Sequence, residues 1–228
     1  MIGVIVNTIT VIIGSIIGML GGKLIPERVN KAVMVAIGLC TVYIGVDGAL
    51  AGSNTLILII SLVLGTIVGT LIDIDKGINW LGDTMGKRFK SQKGNFAEGF
   101  VTASLVFCIG SMTIVGSLKA GIEGDNSMIF TKSLLDLISS SMLASALGVG
   151  VLVSAVFVLV FQGALVLLAG LLEPILNDFA VSELICVGSV MIIGLGLNLI
   201  GVTKIKVANM LPALIFAPVI CKIYELIV

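Results

Sequence analysis

The chain has 228 residues, of which 58% are hydrophobic and only 11% charged, with thirteen Lys and Arg balancing thirteen Asp and Glu. A soluble domain carries about 25% charged residues, so this chain cannot cover its own surface with polar groups and a water-soluble fold is excluded. Histidine is absent, which removes the commonest general base and metal ligand. The composition therefore points away from an enzyme of the Ser/His or Cys/His type, and from nucleic acid as a partner.

About 20 apolar residues cross a bilayer as a helix, and eight stretches reach or approach that length, roughly 2–22, 32–51, 54–74, 97–118, 131–147, 149–172, 181–201 and 206–226. The fold class read from them is an all-α polytopic membrane protein with about eight transmembrane helices and internal inverted repeats. The first stretch has no basic residues before it and ends at Gly21-Gly22-Lys23 without a cleavage pattern, so it is expected to stay as a span. It carries Gly14-Ser-Ile-Ile-Gly18, and the third span carries the related Gly65-Thr-Ile-Val-Gly69. The second holds Ala36-Ile-Gly-Leu-Cys-Thr-Val-Tyr-Ile-Gly45, and ends near Asp47, which reads as interfacial. Between spans three and four, residues 75–95 form the one long polar segment, where Ile78, Trp80, Leu81 and Met85 suit one face of a short interfacial helix.

The fourth span contains Cys108-Ile-Gly-Ser-Met-Thr-Ile-Val-Gly116, and the seventh Cys186-Val-Gly-Ser-Val-Met-Ile-Ile-Gly194. Each places Gly-Ser near mid-span with a second glycine six residues on, a pattern that lets a helix loosen or lets another backbone approach. The fifth span is the least apolar. It holds Asp136 a turn after Lys132, then Ser139, Ser140 and Ser141, and a re-entrant piece is one reading of it. Asp136 either pairs with Lys132 near the headgroups or carries a proton or Na⁺; neither it nor Asp47 reads as mid-span, and no span is read as burying a Lys or Arg. Glu98 and Glu183 open the fourth and seventh spans, where carboxylates suit helix N-termini. Asn7, Gln162, Asn198 and Asn209 are neutral polar groups at helix depth, and Pro212 and Pro218 fall in the last span. The four cysteines, Cys40, Cys108, Cys186 and Cys221, lie singly in apolar runs, with no metal, redox or disulfide pattern.

Loop charge orients the spans. With the N-terminus outside, ten of thirteen basic residues face inward, at positions 23, 28, 31, 76, 87, 88, 90, 93, 204 and 206. The positive-inside bias thus favours eight crossings with both termini outside. The motif matches make residues 1–53 a leading helix pair, 54–147 a repeat A containing the segment 75–95, and 148–228 a repeat B, all in one transmembrane domain. Equivalent helices of the two repeats then run in opposite senses, as in many secondary transporters.

The segments Val6-Asn-Thr8 with Gly14-Ser-Ile-Ile-Gly18, Phe107 to Ser117, Lys132-Ser-Leu-Leu-Asp136 and Ala208-Asn-Met-Leu-Pro-Ala213 together resemble a bacterial membrane family of unknown function, that of YdfK and YqgA. The resemblance covers the whole chain and implies a protein of the bacterial inner membrane. It supplies no catalytic residues, cofactor or substrate. The functional expectation is a secondary transporter or channel for a small ion or solute, with a binding site at Gly110, Ser111, Asp136, Ser140, Gly188, Ser189 and Asn209, between broken central helices. The alternative is a membrane scaffold or subunit that binds other membrane proteins through small-residue helix faces. The lipid bilayer and a small ion or solute are the expected partners, with a homo-oligomer left open.

Overall fold

The computed structural model describes residues 1–22, 27–80, 96–172 and 174–227. Its principal helices are α1 (Ile2–Gly22), α2 (Glu27–Ala49), α3 (Thr55–Ile72), α4 (Phe96–Cys108), α5 (Ser111–Ile122), α6 (Ser127–Leu147), α7 (Val149–Leu167), α8 (Asp178–Ile200) and α9 (Ala213–Ile227). A helical turn, Ala169–Leu172, follows α7, and a 3₁₀ turn, Val207–Met210, leads into α9. There is no strand among the described residues.

The helices are built for lipid, with the usual placement of size reversed. In α1 the buried residues are Gly3, Val4, Asn7, Thr8, Val11, Gly14, Ser15 and Gly18, whereas Ile2, Ile5, Ile9, Ile13, Ile16, Ile17 and Leu20 are exposed. Lipid tails are as apolar as leucine, so nothing drives large aliphatic side chains inward. Close van der Waals packing of small residues holds the helices together instead.

Glycines set the pairings. Gly14, Gly18 and Gly22 of α1 lie against Leu137 and Ser140, Ser141, and Ser145 of α6 in that order, so these two helices run parallel. Gly38, Gly45 and Gly48 of α2 meet Ile200, Ile193 and Ser189 of α8, an antiparallel pair. Gly65 and Gly69 of α3 meet Ala213 and Asn209, so α3 runs antiparallel to the segment entering α9. α4 and α8 are neighbours of opposite sense: Gly188 packs on Ile109, while Glu98 and Val101 share a cleft with Leu195 and Asn198.

Among the described residues, six helices are long and apolar enough to cross a membrane, or seven when α4 and α5 are counted as one bent span. α6 falls outside that set because Lys132 and Asp136 lower its hydropathy, not because it is short. Its 21 residues rise about 31 Å at 1.5 Å each, enough for a hydrocarbon core of about 30 Å. It is one continuous helix, so the re-entrant reading of residues 131–147 is not needed. α2 also begins earlier than expected, at Glu27.

The two Gly-Ser motifs behave differently. α4 and α5 meet at Gly110 with a bend of 57°, as expected of a loosened helix. α8 is unbroken from Asp178 to Ile200 and passes straight through Gly188 and Ser189, which corrects the expectation of two broken helices. The physical reason lies in packing. Ile109 fills the space beside Gly188 and Ser189 seats against Gly48, so the second glycine serves close approach rather than bending. In the polar segment, residues 74–80 are helical after a left-handed turn at Asp73, φ 54°. Ile78 and Trp80 lie in that helix; Leu81 and Met85 lie outside the described residues.

Candidate functional site

Four helices bring polar groups together deep in the bundle. Asp136 is the tenth of the 21 residues of α6, and its Oδ2 pairs with the Lys132 ammonium one turn earlier. Both side chains are only 8% exposed. This corrects two expectations: Asp136 is mid-helix, and a span does bury a lysine. In sequence, Lys132 opens the apolar stretch 131–147 and so suits its polar end, whereas α6 starts at Ser127 and carries Lys132 inward with it.

The neighbours of the pair come from α1, α4 and α7. The Asn7 amide lies beside the Asp136 carboxylate and donates to Gln162 Oε1 at 3.1 Å. Asn7 and Gln162 are both fully buried. The Phe107 ring lies under the Lys132 ammonium, 5.8 Å from its centroid, close enough for a cation–π attraction. The Cys108 thiol is near both charges. Phe107 and Cys108 are the last residues before the bend, where the helix ladder fails. There Thr113 Oγ1 donates to the Phe107 carbonyl at 2.9 Å, replacing a bond that a continuous helix would supply.

The cluster is not saturated. Asn7 Oδ1 and Gln162 Nε2 have no hydrogen-bond partner, nor do the buried hydroxyls of Ser15, Thr102, Ser104 and Ser117. Of these six, Asn7 and Gln162 lie at the ion pair, and the four hydroxyls are spread along α1, α4 and α5. Buried polar groups are normally hydrogen-bonded, and unsatisfied ones cost most in a medium without water.

The remaining expected site residues are dispersed. Ser140 faces α1 against Gly14 and donates to Leu137 O at 3.1 Å; Ser141 and Ser145 likewise donate to the carbonyls three residues back. These serines are the ridge on which the α1 glycines rest. Gly110 is open, with no atom within 4 Å of where a Cβ would stand. Ser111 opens α5, and its side chain is outside the described set. Gly188 and Ser189 are closely packed, as above. Asn209 lies elsewhere: its Oδ1 accepts from Asp75 N at 2.8 Å, holding the helix of residues 74–80. Asn198 is also committed, accepting from Thr203 Oγ1 and Ile205 N and donating to Ile205 O. A cleft of about 470 Å³ between the start of α4 and the end of α8 is lined by Glu98, Asp75, Asn198, Lys204 and Lys206, among others, but not by Gly110 or Gly188.

Glu183 is a second buried carboxylate, fully inaccessible. It does not cap its own helix, whose N-cap is Asn177. Its Oε1 accepts from Ser53 N at 2.6 Å, Ser53 Oγ at 3.1 Å and Asn54 N at 2.8 Å, which ties the α2–α3 loop to α8. The other oxygen has no partner. Cys186 and Cys221 lie close to it, and all four cysteines are free.

Comparison with known proteins places these features in a family. Residues 2–222 match a family described as protein of unknown function, DUF554. The chain is 34% identical over 224 residues to the uncharacterized membrane protein YdfK of Bacillus subtilis, covering 96% of this chain and 95% of that one. It is 27% identical over 221 residues to the uncharacterized protein YqgA of Escherichia coli, covering 95% and 94%. No solved structure matches the chain.

Proposed function

Since the chain belongs to the DUF554 family, a membrane family that brings no activity with it, we propose from its own geometry that it is a secondary transporter or channel for a small ion or solute. The observation that carries this reading is the Lys132–Asp136 pair, buried at mid-helix beside a bent span and flanked by unpartnered Asn7 and Gln162 groups. A charge at mid-bilayer is expensive and is kept where it meets a partner or a passing solute. A helix bent by 57° at Gly110 is tolerated at that depth only where protein or a cavity lines it.

In this reading the protein sits in the bacterial inner membrane with eight crossings and both termini outside, α6 counting as a full span. Residues 54–147 and 148–228 act as inverted units, and the opposed directions of α4 and α8 support this. No chemical transformation is proposed. The scaffold alternative is less well supported. It needs free small-residue faces, whereas the glycine rows of α1, α2 and α3 are filled by α6, α8 and α9.

The test is flux. Purified protein in proteoliposomes is screened against cations and small metabolites, with Asp136→Asn alongside. Transport by the wild type that falls at least tenfold in Asp136→Asn is expected. Flux unchanged by that substitution would remove the site.

A further inference from the structure

The same polar core indicates the class of solute, an inference that rests on the transport reading. Asp136 supplies one negative charge, and among the described residues the cation acting on it is the Lys132 ammonium. The charged or titratable groups facing the carboxylate are Lys132 from α6 and Cys108 from α4, while α1 and α7 contribute the neutral amides of Asn7 and Gln162. With its own lysine bound the core is neutral. An anion would meet the carboxylate and find no second basic group among the described residues. A transition metal would lack donors, since no three Cys, Asp or Glu side chains assemble among the described residues.

An acceptor is also waiting. Asn7 is fully buried; the N–H side of its amide faces Asp136, and its Oδ1 has no partner. A displaced ammonium would keep a foothold, because the Phe107 ring already lies 5.8 Å from Lys132 Nζ. We propose that Asp136 and Asn7 form a monovalent-cation site, for an alkali-metal ion or a primary ammonium, in which Lys132 is a tethered occupant that the incoming cation displaces. With the cation on Asp136 and the displaced Lys132 ammonium held on the Phe107 ring, the core carries one net positive charge, which the ring face and the unpartnered Asn7 oxygen offset.

The test reads binding rather than transport. Purified full-length protein is melted in sodium, potassium or methylammonium chloride, with choline chloride as the bulky control at equal ionic strength. The variants are Lys132→Ala, Asp136→Asn, the double variant and Asn7→Asp, which adds a second carboxylate while leaving Lys132 in place. Lys132→Ala and Asn7→Asp are expected to gain several degrees in Tm from the small cations over choline. Asp136→Asn and the double variant should respond equally to all the salts. Should Lys132→Ala not fold, Asn7→Asp carries the same reading. Absence of a selective response in both variants, or the same response in the double variant, would overturn the cation site. If flux still depended on Asp136 in that case, the transport reading would stand and only the solute class would fall.

Discussion

Glu183 illustrates how one side chain can organise a turn it does not belong to. Three donors from Ser53 and Asn54 converge on its Oε1 at the start of α3, where unpaired amides and the helix dipole favour a negative group. Removing the acceptor takes away three hydrogen bonds to a carboxylate from donors that are only partly buried, a loss of about 1.5–3 kcal/mol. Glu183→Ala is therefore expected to lower the melting temperature markedly, and Glu183→Gln, which keeps an acceptor oxygen, to lower it less. Equal losses in the two would mean that the carboxamide cannot hold the loop. At the α5–α6 loop, Asp125 accepts from Ser127 Oγ at 2.6 Å and Ser127 N at 2.9 Å. These bonds hold its carboxyl below the ordinary carboxylate range. A lowered folded pKa gives stability that is present above the unfolded value, about 3.9, and lost as the pH falls through the folded one. Asp125→Asn should therefore leave Tm flat between pH 5 and 8 and reduce only its decline below about pH 4, as followed by thermal melting.

Among helices, the closest fit is α1 on α6. Gly18 faces the carbonyl of Ser141, and Gly22 that of Ser145, so a methyl group at either position would push against backbone rather than a movable side chain. Overpacking of this kind costs about 1–3 kcal/mol. Gly18→Ala should lower stability by that order in a reversible unfolding assay in detergent, whereas Gly21→Ala, where a Cβ meets nothing within 4 Å, should be near neutral. The same packing holds the polar core together, because α1 carries Asn7 and α6 carries Asp136. The α6–α7 corner depends on a single residue: Gly148 adopts φ 71°, a conformation that glycine takes without steric cost.

Across the whole molecule, the number of crossings decides which loops share a side of the membrane. If α6 crosses, the loops at residues 123–126 and 201–206 lie on opposite sides of the membrane; if it does not, they share a side. Single cysteines at Asp125 and Val202, placed in a chain whose native cysteines have been replaced, are expected to be labelled by a membrane-impermeant thiol reagent from opposite faces. Labelling of both from one face would remove a crossing and with it the inverted relation of the two halves.

The sequence alone determined the membrane class, the family and most helix positions, because these follow from local apolar length and motif. It marked Asp136 as worth attention, since a lone charge in an apolar run is visible without coordinates. It did not reveal that Lys132 is buried, that Asn7 and Gln162 meet across 155 positions of chain, or that Glu183 serves α3. Nor did it distinguish Gly110, which bends its helix, from Gly188, which receives Ile109. Only the tertiary structure decided these, for a physical reason: burial, pairing and close approach depend on the neighbour opposite, and a local Gly-Ser pattern is the same whatever packs against it.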